Sequence, residues 1–261
     1  LLNRPCVLPS AGVGFVDSTL ECGRAQSDPE RREGRTYANF VCSAVGKPTR
    51  AKAKQQKRES RAVAIYSASV KTVSRGGGRS ATAAAAYRNG EEITDERTGE
   101  VHDYRRRTGV EHVASFAPEG MAPQPSAELW NRAEAAEVRK NARVAREVLV
   151  ALPAELTPEQ RRELAQGIAQ ALADRYGTAG TLAVHTPDRE GDQRNHHAHI
   201  LLTTRRLEPS GALGEKTREL DDVKRGPQEV EWVRAMIEAR TNHALERAGS
   251  AERVDRRSLV E

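Results

Sequence analysis

Two strand-like segments, 181–185 and 195–203, constrain the fold of this chain most, because they carry four of its seven histidines. Side chains alternate faces along a β-strand, so His197 and His199 share one face of the second segment and its apolar residues share the other. Antiparallel pairing of the two segments brings His185 beside that histidine face. The pattern predicts a β-hairpin that packs through one face and holds three imidazoles on the other.

Three converging imidazoles indicate a metal site, although a lone histidine is more often a surface residue or a satisfied core group. Imidazole suits manganese, iron, cobalt, nickel, copper and zinc, and three ligands leave coordination positions open, as in catalytic sites. No cysteine lies near enough in the sequence to complete a zinc knot. His196 faces away from His197 if the strand has begun there. We therefore expect His196 either to support the metal ligands or to face the substrate.

An alanine-rich segment follows the glycines at 76–78, which end the strand before them. Ser80 is a favoured N-cap, alanine favours helix strongly, and Gly90 suits the position just after a helix end. The segment therefore predicts a short helix that ends in Tyr87 and Arg88. Its tyrosine is either an amphipathic cap on the core or a phenol available for chemistry.

A tyrosine, a three-histidine metal site and a basic chain are the components of tyrosine-dependent DNA strand transfer. In that reaction the phenolate attacks phosphorus, a 5′-phosphotyrosine stores the bond energy, and a 3′-hydroxyl departs. Phenol is a weak nucleophile at its free pKa of about 10, so the metal and a nearby cation must stabilise charge. Arg88 is a candidate for that cation.

Three segments resemble the MobA/MobL (MobQ-type) branch of the HUH relaxases, which start conjugative plasmid transfer. They are AIYSASVK (64–71) as the opening strand, GRSATAAAAYRNG (78–90) as the tyrosine motif and DREGDQRNHHAH (188–199) as the histidine motif, in the order of the family. A further segment, TDERTGEVHDY (94–104), is similar to the relaxase domain of TraA-type conjugation proteins. The likeness extends from about Val63 to the C-terminus.

The resemblance implies that Tyr87 is the nucleophile, that His197 and His199 are the two histidines of the HUH motif, and that His185 is the third metal ligand. The implied cofactor is a divalent metal, Mn²⁺ or Mg²⁺. The implied activity is metal-dependent, site- and strand-specific nicking and religation of DNA at the origin of transfer. The expected partners are single-stranded or extruded plasmid DNA, accessory relaxosome proteins and a coupling protein, without membrane insertion.

Further candidate residues come from a helix that Ser126 is predicted to cap and that continues to about Asn141. Its Glu134 and Glu137 resemble acidic residues of the family, which either orient a ligand imidazole or take the tyrosine proton. A solvated helix face with ordinary salt links is the alternative. The candidates for contact with DNA phosphates are Arg79, Arg88, Lys216 and Arg218.

The remaining periodicities predict an α+β fold. Strand patterns occur around residue 101 and at 110–116 and 144–152, and helical patterns occur at 157–176, which opens with a capping box, and at 228–248. This order predicts an antiparallel sheet covered by helices on one face, an HUH endonuclease or relaxase-like architecture.

We expect three regions along the chain: a disordered or non-native extension at 1–62, the relaxase (nickase) domain at 63–255, and the truncated start of a following region at 256–261. All three cysteines precede residue 63, and the first region lacks sustained hydrophobic periodicity. If the extension is non-native, Val63 corresponds to a GTG start codon that is translated internally as valine. A flexible N-terminal arm that binds DNA is the competing interpretation.

Composition favours a nucleic-acid partner and the bacterial cytoplasm. The net charge of +5 and the pI near 9.3 suit a polyanion. The sequence has neither an apolar run long enough for a membrane span nor the apolar core of a signal peptide.

Two other functions stay open at this stage. The chain is alternatively a metal-dependent nuclease that uses water as nucleophile. The second alternative is a catalytically inactive remnant, which binds DNA with strong salt dependence and never cuts it.

Overall fold

The computed structural model describes residues 65–257. The strands are β1 (Ala68–Ser74), β2 (Glu92–Thr94), β3 (Val101–Asp103), β4 (Val110–Phe116), β5 (Arg143–Leu152), β6 (Thr178–His185), β7 (His196–Leu207) and β8 (Leu213–Lys216). The helices are α1 (Ala81–Asn89), α2 (Ser126–Ala135), α3 (Pro158–Tyr176) and α4 (Gly226–Arg247), and a 3-10 helix, Arg75–Gly77, follows β1. The predicted extension at 1–62, and residues 258–261 of the predicted last region, lie outside the described residues.

One antiparallel sheet organises these elements. Its strand order is β1-β5-β7-β6-β4, β8 pairs with β7, and β2 and β3 form a separate hairpin. Every pairing in the main sheet is antiparallel. The predicted α+β fold with an antiparallel sheet is confirmed, and β7, which carries His196, His197 and His199, lies in the middle of the sheet.

Helices lie on both faces of the sheet. The residues of β7 with even numbers, such as Ile200, are buried in one core with apolar residues of α3 and α4 such as Ile168 and Ile237. On the opposite face, Leu201 is buried with α1 and with Trp130 of α2. The sequence predicted helices on one face only; α1 and α2 cover part of the second face because their own apolar sides also need burial.

The ends of α1 and α3 follow local rules that the sequence shows. The Ser80 side chain accepts a hydrogen bond from the Ala83 backbone, and Gly90 takes a left-handed φ of 66° after α1. Thr157 and Gln160 form the predicted capping box at the start of α3. Both helices therefore begin and end where the sequence predicted.

The helix α2 differs from its prediction. Ser126 is its first residue rather than its N-cap, and it ends at Ala135, six residues before the predicted end near Asn141. The Arg75 guanidinium donates hydrogen bonds to the backbone carbonyls of Glu134 and Glu137, which satisfies the helix end from outside. Arg75 is about 60 residues away in the sequence, so no local pattern indicates that α2 ends at Ala135.

Two smaller observations complete the fold. The predicted opening strand at 64–71 begins later, at Ala68, and residue 64 lies outside the described range. None of the helices within residues 65–257 combines the length and apolarity that a membrane span requires.

Candidate metal and tyrosine site

Three histidines meet on the β6–β7 hairpin. In the register of the two strands His185 lies opposite His197, and Ala183 lies opposite His199. One ring nitrogen from each imidazole lies within 4.8 Å of the others. The predicted convergence of the three imidazoles is therefore present in the structure.

Each of these imidazoles has one nitrogen hydrogen-bonded and the other directed elsewhere. Nε2 of His185 lies 2.7 Å from the Arg88 carbonyl, Nδ1 of His197 lies 3.0 Å from the Asn195 carbonyl, and Nδ1 of His199 lies 2.6 Å from a Glu147 oxygen. Because these partners only accept hydrogen bonds, the bonded nitrogens carry the protons. Each ring is left with one lone pair, the form that binds a metal.

Burial keeps two of the rings neutral. Burial lowers the pKa of His185 to about 4, against the opposing effect of the hydrogen bond to the Arg88 carbonyl. Burial likewise lowers the pKa of His199, although its contact with Glu147 opposes that shift. Neutral imidazoles bind a metal without first losing a proton.

The donor set fits a transition metal better than Mg²⁺. Three neutral imidazoles are the ligands that manganese, iron, cobalt, nickel, copper and zinc accept, whereas Mg²⁺ prefers carboxylate and water oxygens. Three protein ligands leave further positions for water or a substrate oxygen.

Glu147 on β5 is a site residue that the sequence reasoning missed. Its carboxylate contacts His199 and receives two hydrogen bonds from Arg88, at 2.6 and 2.7 Å. Burial alone raises the pKa of this carboxyl, but hydrogen bonds from His199 and Arg88 outweigh it and lower the pKa to about 2. The available signal was an acidic residue inside a predicted strand, 144–152, that is apolar apart from Glu147 and Arg146.

Tyr87 lies in the last turn of α1, and its side chain is 47% exposed. Its ring meets that of Tyr104 edge to face, with centroids 5.2 Å apart, and the Arg107 guanidinium lies 3.8 Å from the centroid of the Tyr87 ring. The next residue, Arg88, contacts His185 through its carbonyl and Glu147 through its guanidinium. Arg88 thus joins the tyrosine helix to His185 directly and to His199 through Glu147 of β5.

The arginines predicted to contact DNA have different positions. All three side-chain nitrogens of Arg88 are engaged, two with Glu147 and one with the Ala84 carbonyl. In contrast, Arg79 is exposed and lines a cleft of about 600 Å³ together with Arg97 and Lys140. Arg79 therefore remains a candidate for phosphate contact, whereas the Arg88 guanidinium is occupied by a carboxylate.

Glu134 lies away from the histidines. Its side chain is buried, one oxygen accepts a hydrogen bond from the Ala81 backbone at 2.6 Å, and the other is paired with Arg75. Ala81 begins α1 and Tyr87 is six residues later, which corresponds to about 9 Å along a helix. Glu134 therefore fixes the start of the tyrosine helix, and the carboxylate that orients an imidazole is Glu147.

Glu137 also lies outside the histidine cluster. It follows the end of α2 and is paired with Arg205 at 2.9 Å and with Lys216 at 3.0 Å. Lys216 additionally donates to the Arg143 carbonyl, so this candidate for phosphate contact is already bonded. Arg218 is exposed.

His196 is the first residue of β7 and faces the α3 side of the sheet, as its alternation with His197 predicted. Its Nδ1 atom is buried and has no hydrogen-bond partner within residues 65–257. Burial lowers its pKa.

Comparisons with known proteins place this chain among mobilization and conjugal transfer proteins by similarity. The model of the MobA/MobL family matches residues 79–261. Mobilization protein MobL of Acidithiobacillus ferridurans is 45% identical over 221 residues, which are 75% of this chain and 58% of that protein. Conjugal transfer protein TraA of Agrobacterium fabrum is 34% identical over 163 residues, 58% of this chain and 14% of that protein.

A solved structure supports the same relationship. The structure described as the molecular basis of vancomycin resistance transfer in Staphylococcus aureus is similar to this chain with a TM-score of 0.66 and 30% identity. The match covers 75% of this chain and 100% of that one. The sequence, the fold and the relatives agree that this chain belongs to the MobA/MobL family.

Proposed function

We propose that this chain is a relaxase that nicks and religates plasmid DNA at an origin of transfer through Tyr87. The observation that carries the proposal is the convergence of ring nitrogens from three histidines beside the helix that presents an exposed tyrosine. Arg88 joins the two parts, because its carbonyl holds His185 and its guanidinium holds Glu147. The names of the relatives, mobilization and conjugal transfer proteins, support the same activity.

His185, His197 and His199 are the residues that would hold a divalent metal. We propose Mn²⁺, which, unlike Mg²⁺, accepts imidazole nitrogens as well as the oxygens of water and phosphate. When bound, the metal polarises a phosphate oxygen and neutralises developing negative charge. Glu147 accepts the Nδ1 proton of His199 and so fixes the orientation of that ring.

The Tyr87 oxygen forms a bond to phosphorus, and the bond from phosphorus to the 3′-oxygen breaks. The phenol proton is released to solvent and the leaving 3′-oxygen takes up a proton. The product is a 5′-phosphotyrosine ester, whose attack by a 3′-hydroxyl reverses the reaction and religates the strand.

We propose that single-stranded DNA approaches Tyr87 along the cleft lined by Arg79, Arg97 and Lys140. Cationic side chains that follow the backbone, with an aromatic ring for a base to stack on, are the usual components of such a path. Tyr104 lines the same cleft and is partly exposed. These groups position the strand and carry no sequence information themselves.

The chain spans 58% of the length of its MobL relative, so the activity of the whole protein is a wider proposal. We assign the nicking reaction to residues 63–255 and place it in the bacterial cytoplasm. Accessory relaxosome proteins and a coupling protein are the partners that conjugative transfer requires.

The test is covalent capture of DNA by the full chain. The protein is incubated with Mn²⁺ and a pool of random single-stranded DNA, washed under denaturing conditions, and the attached strands are sequenced. We expect a metal-dependent adduct that Tyr87→Phe abolishes. The matched control is Tyr104→Phe, because that tyrosine is also partly exposed and contacts Tyr87. Adduct formation should survive in it.

Other outcomes would assign another function. Cleavage without an adduct, retained in Tyr87→Phe, would show that water is the nucleophile and that the chain is a nuclease. Binding to DNA with no cleavage of any captured strand would show an inactive remnant.

A further inference from the structure

Arg107 is an arginine beside the tyrosine to which no role has yet been given. Its guanidinium carbon lies 3.8 Å from the centroid of the Tyr87 ring. Its Nη1 atom is buried and has no hydrogen-bond partner within the part of the chain that the structure describes. A buried donor without an acceptor is unfavourable, so the described residues alone do not satisfy this guanidinium.

Neighbouring arginines are engaged with other groups. Arg88 binds Glu147, and Arg105 is paired with Asp103 and Glu92. Arg107 makes no ion pair to any residue of the described range. Its guanidinium instead lies against the face of the Tyr87 ring, and this cation–π contact stabilises its position.

The position of Arg107 is set by a local turn. Its backbone N–H donates a hydrogen bond to the Tyr104 carbonyl at 2.9 Å, and the Tyr104 ring itself contacts the Tyr87 ring. One guanidinium is therefore held beside the candidate nucleophile.

We propose that Arg107 binds the DNA phosphate that Tyr87 attacks, donating hydrogen bonds from its guanidinium to a non-bridging oxygen. This inference rests on the proposed function. Guanidinium groups match phosphate geometry and remain charged at any physiological pH. Negative charge spreads over the non-bridging oxygens during the transfer, and a donor already held in place stabilises that charge without reorganisation.

The site therefore divides its two arginines between two tasks. Arg88 was the sequence-based candidate for charge stabilisation, but its nitrogens hold Glu147 and a backbone carbonyl. Arg107 takes the phosphate because its guanidinium is free of carboxylates. Loss of Arg107 should therefore slow the reaction more than it weakens binding of the DNA.

The first experiment measures the rate of adduct formation with one DNA sequence isolated by the wild-type full chain. We expect Arg107→Ala to slow the rate by about 100-fold or more, the usual effect of removing one fixed donor. Arg107→Lys should slow the rate less than Arg107→Ala does, because lysine keeps the positive charge. The matched control is Arg106→Ala, since Arg106 is the exposed neighbour in the same run of arginines; its rate should equal that of the wild type.

A second experiment identifies the phosphate. In a Tyr87→Phe background, binding is compared for DNA with an ordinary phosphate and with a neutral methylphosphonate at the mapped cleavage position. The neutral group should weaken binding when Arg107 is present and have little effect in Arg107→Ala. Equal weakening in both proteins, or a wild-type adduct rate in Arg107→Ala, would overturn the proposal. If Arg107→Ala does not fold, Arg107→Gln carries both comparisons, because glutamine removes the positive charge and keeps a long side chain.

A third measurement keeps this inference separate from the proposed function. If the wild-type chain forms no adduct with any DNA, the proposed function fails. The salt dependence of binding to an oligothymidylate then tests Arg107 alone: losing one phosphate contact lowers the slope of log K against log salt by about 0.7. An unchanged slope in Arg107→Ala would contradict phosphate binding at this residue.

Discussion

Arg88 and Glu147 form a two-point ion pair, with Nε to Oε1 at 2.6 Å and Nη2 to Oε2 at 2.7 Å, across the gap between α1 and β5. The same carboxylate holds His199, and the Arg88 carbonyl holds His185. One residue of the tyrosine helix thus fixes two of the three imidazoles. The geometry of the histidine cluster depends on where α1 ends.

The first prediction concerns metal affinity. Glu147→Gln replaces the oxygen that accepts the His199 proton with a weaker, neutral group and disrupts the pair with Arg88. We expect Mn²⁺ affinity to fall by about 10- to 100-fold, the usual cost of losing a partner of a ligand histidine. Isothermal titration calorimetry measures it.

Glu137→Gln is the matched control for that change. Glu137 is also a buried acidic residue with two cationic partners, Arg205 and Lys216, but it contacts no histidine. Its Mn²⁺ affinity should remain that of the wild type. An equal loss of affinity in both variants would mean that global destabilisation, rather than orientation of His199, is responsible.

The second prediction separates structure from catalysis at Glu134. Glu134→Ala removes the acceptor for the Ala81 backbone and leaves the largely buried Arg75 guanidinium without its carboxylate. We expect the free energy of unfolding to fall by about 3–5 kcal/mol, because breaking a buried pair strands one charge. Chemical denaturation measures the loss.

A control lies on the same helix. Glu128 is an exposed residue paired with Arg132 at 3.5 Å, and Glu128→Ala should change stability by less than about 0.5 kcal/mol. If Glu134→Ala instead kept its stability and lost only adduct formation, Glu134 would act in catalysis, as the sequence alone suggested.

Local signals in the sequence predicted local structure correctly. Ser80 and Gly90 bound α1, and Thr157 opens α3, because caps involve residues only a few positions apart. Alternation along β7 likewise predicted which histidines share a face. These predictions needed no knowledge of the rest of the chain.

The parts of the fold and the site that the sequence did not predict depend on contacts between distant residues. Glu147 reaches His199 only because β5 pairs with β7, and this pairing of segments about fifty residues apart leaves no local pattern. Arg75 ends α2 from a position far earlier in the chain. The sequence suggested Glu134 and Glu137 as site residues because they resemble acidic residues of the family. In the structure they form ion pairs with Arg75 and Arg205 and do not contact the histidines.

The third prediction concerns the close approach of β6 and β7. A Cβ atom at Gly180 would lie 2.0 Å from the Leu201 carbonyl oxygen and 2.6 Å from a ring carbon of Phe116. A backbone atom cannot yield as a flexible side chain does, so Gly180→Ala should cost about 3 kcal/mol or more. Thermal and denaturant unfolding measure the loss. Gly77→Ala is the control, because a Cβ there meets nothing within 4 Å; a similar loss in both would contradict the steric explanation.

The fourth prediction is a pH dependence of stability. Hydrogen bonds from Arg175 lower the pKa of Glu229, although burial opposes the shift, and Glu229 also accepts a bond from Tyr176. A carboxyl whose pKa is lower in the folded state stabilises that state above the unfolded pKa of about 4.3, and the contribution disappears as pH falls through the folded pKa. The stability difference between wild type and Glu229→Gln should therefore be constant near neutral pH and shrink on acidification.

Denaturant unfolding from neutral pH down to about pH 3 measures this difference, and Glu163→Gln serves as control. Glu163 faces Arg247 at 3.5 Å with both side chains largely exposed, so solvent screens the pair and its removal should leave the pH profile unchanged. A difference between wild type and Glu229→Gln that grew on acidification would mean that Glu229 binds its proton more readily in the folded state. In that case burial, and not Arg175, would control the carboxyl, and the contact between α3 and α4 would be stabilised by packing alone.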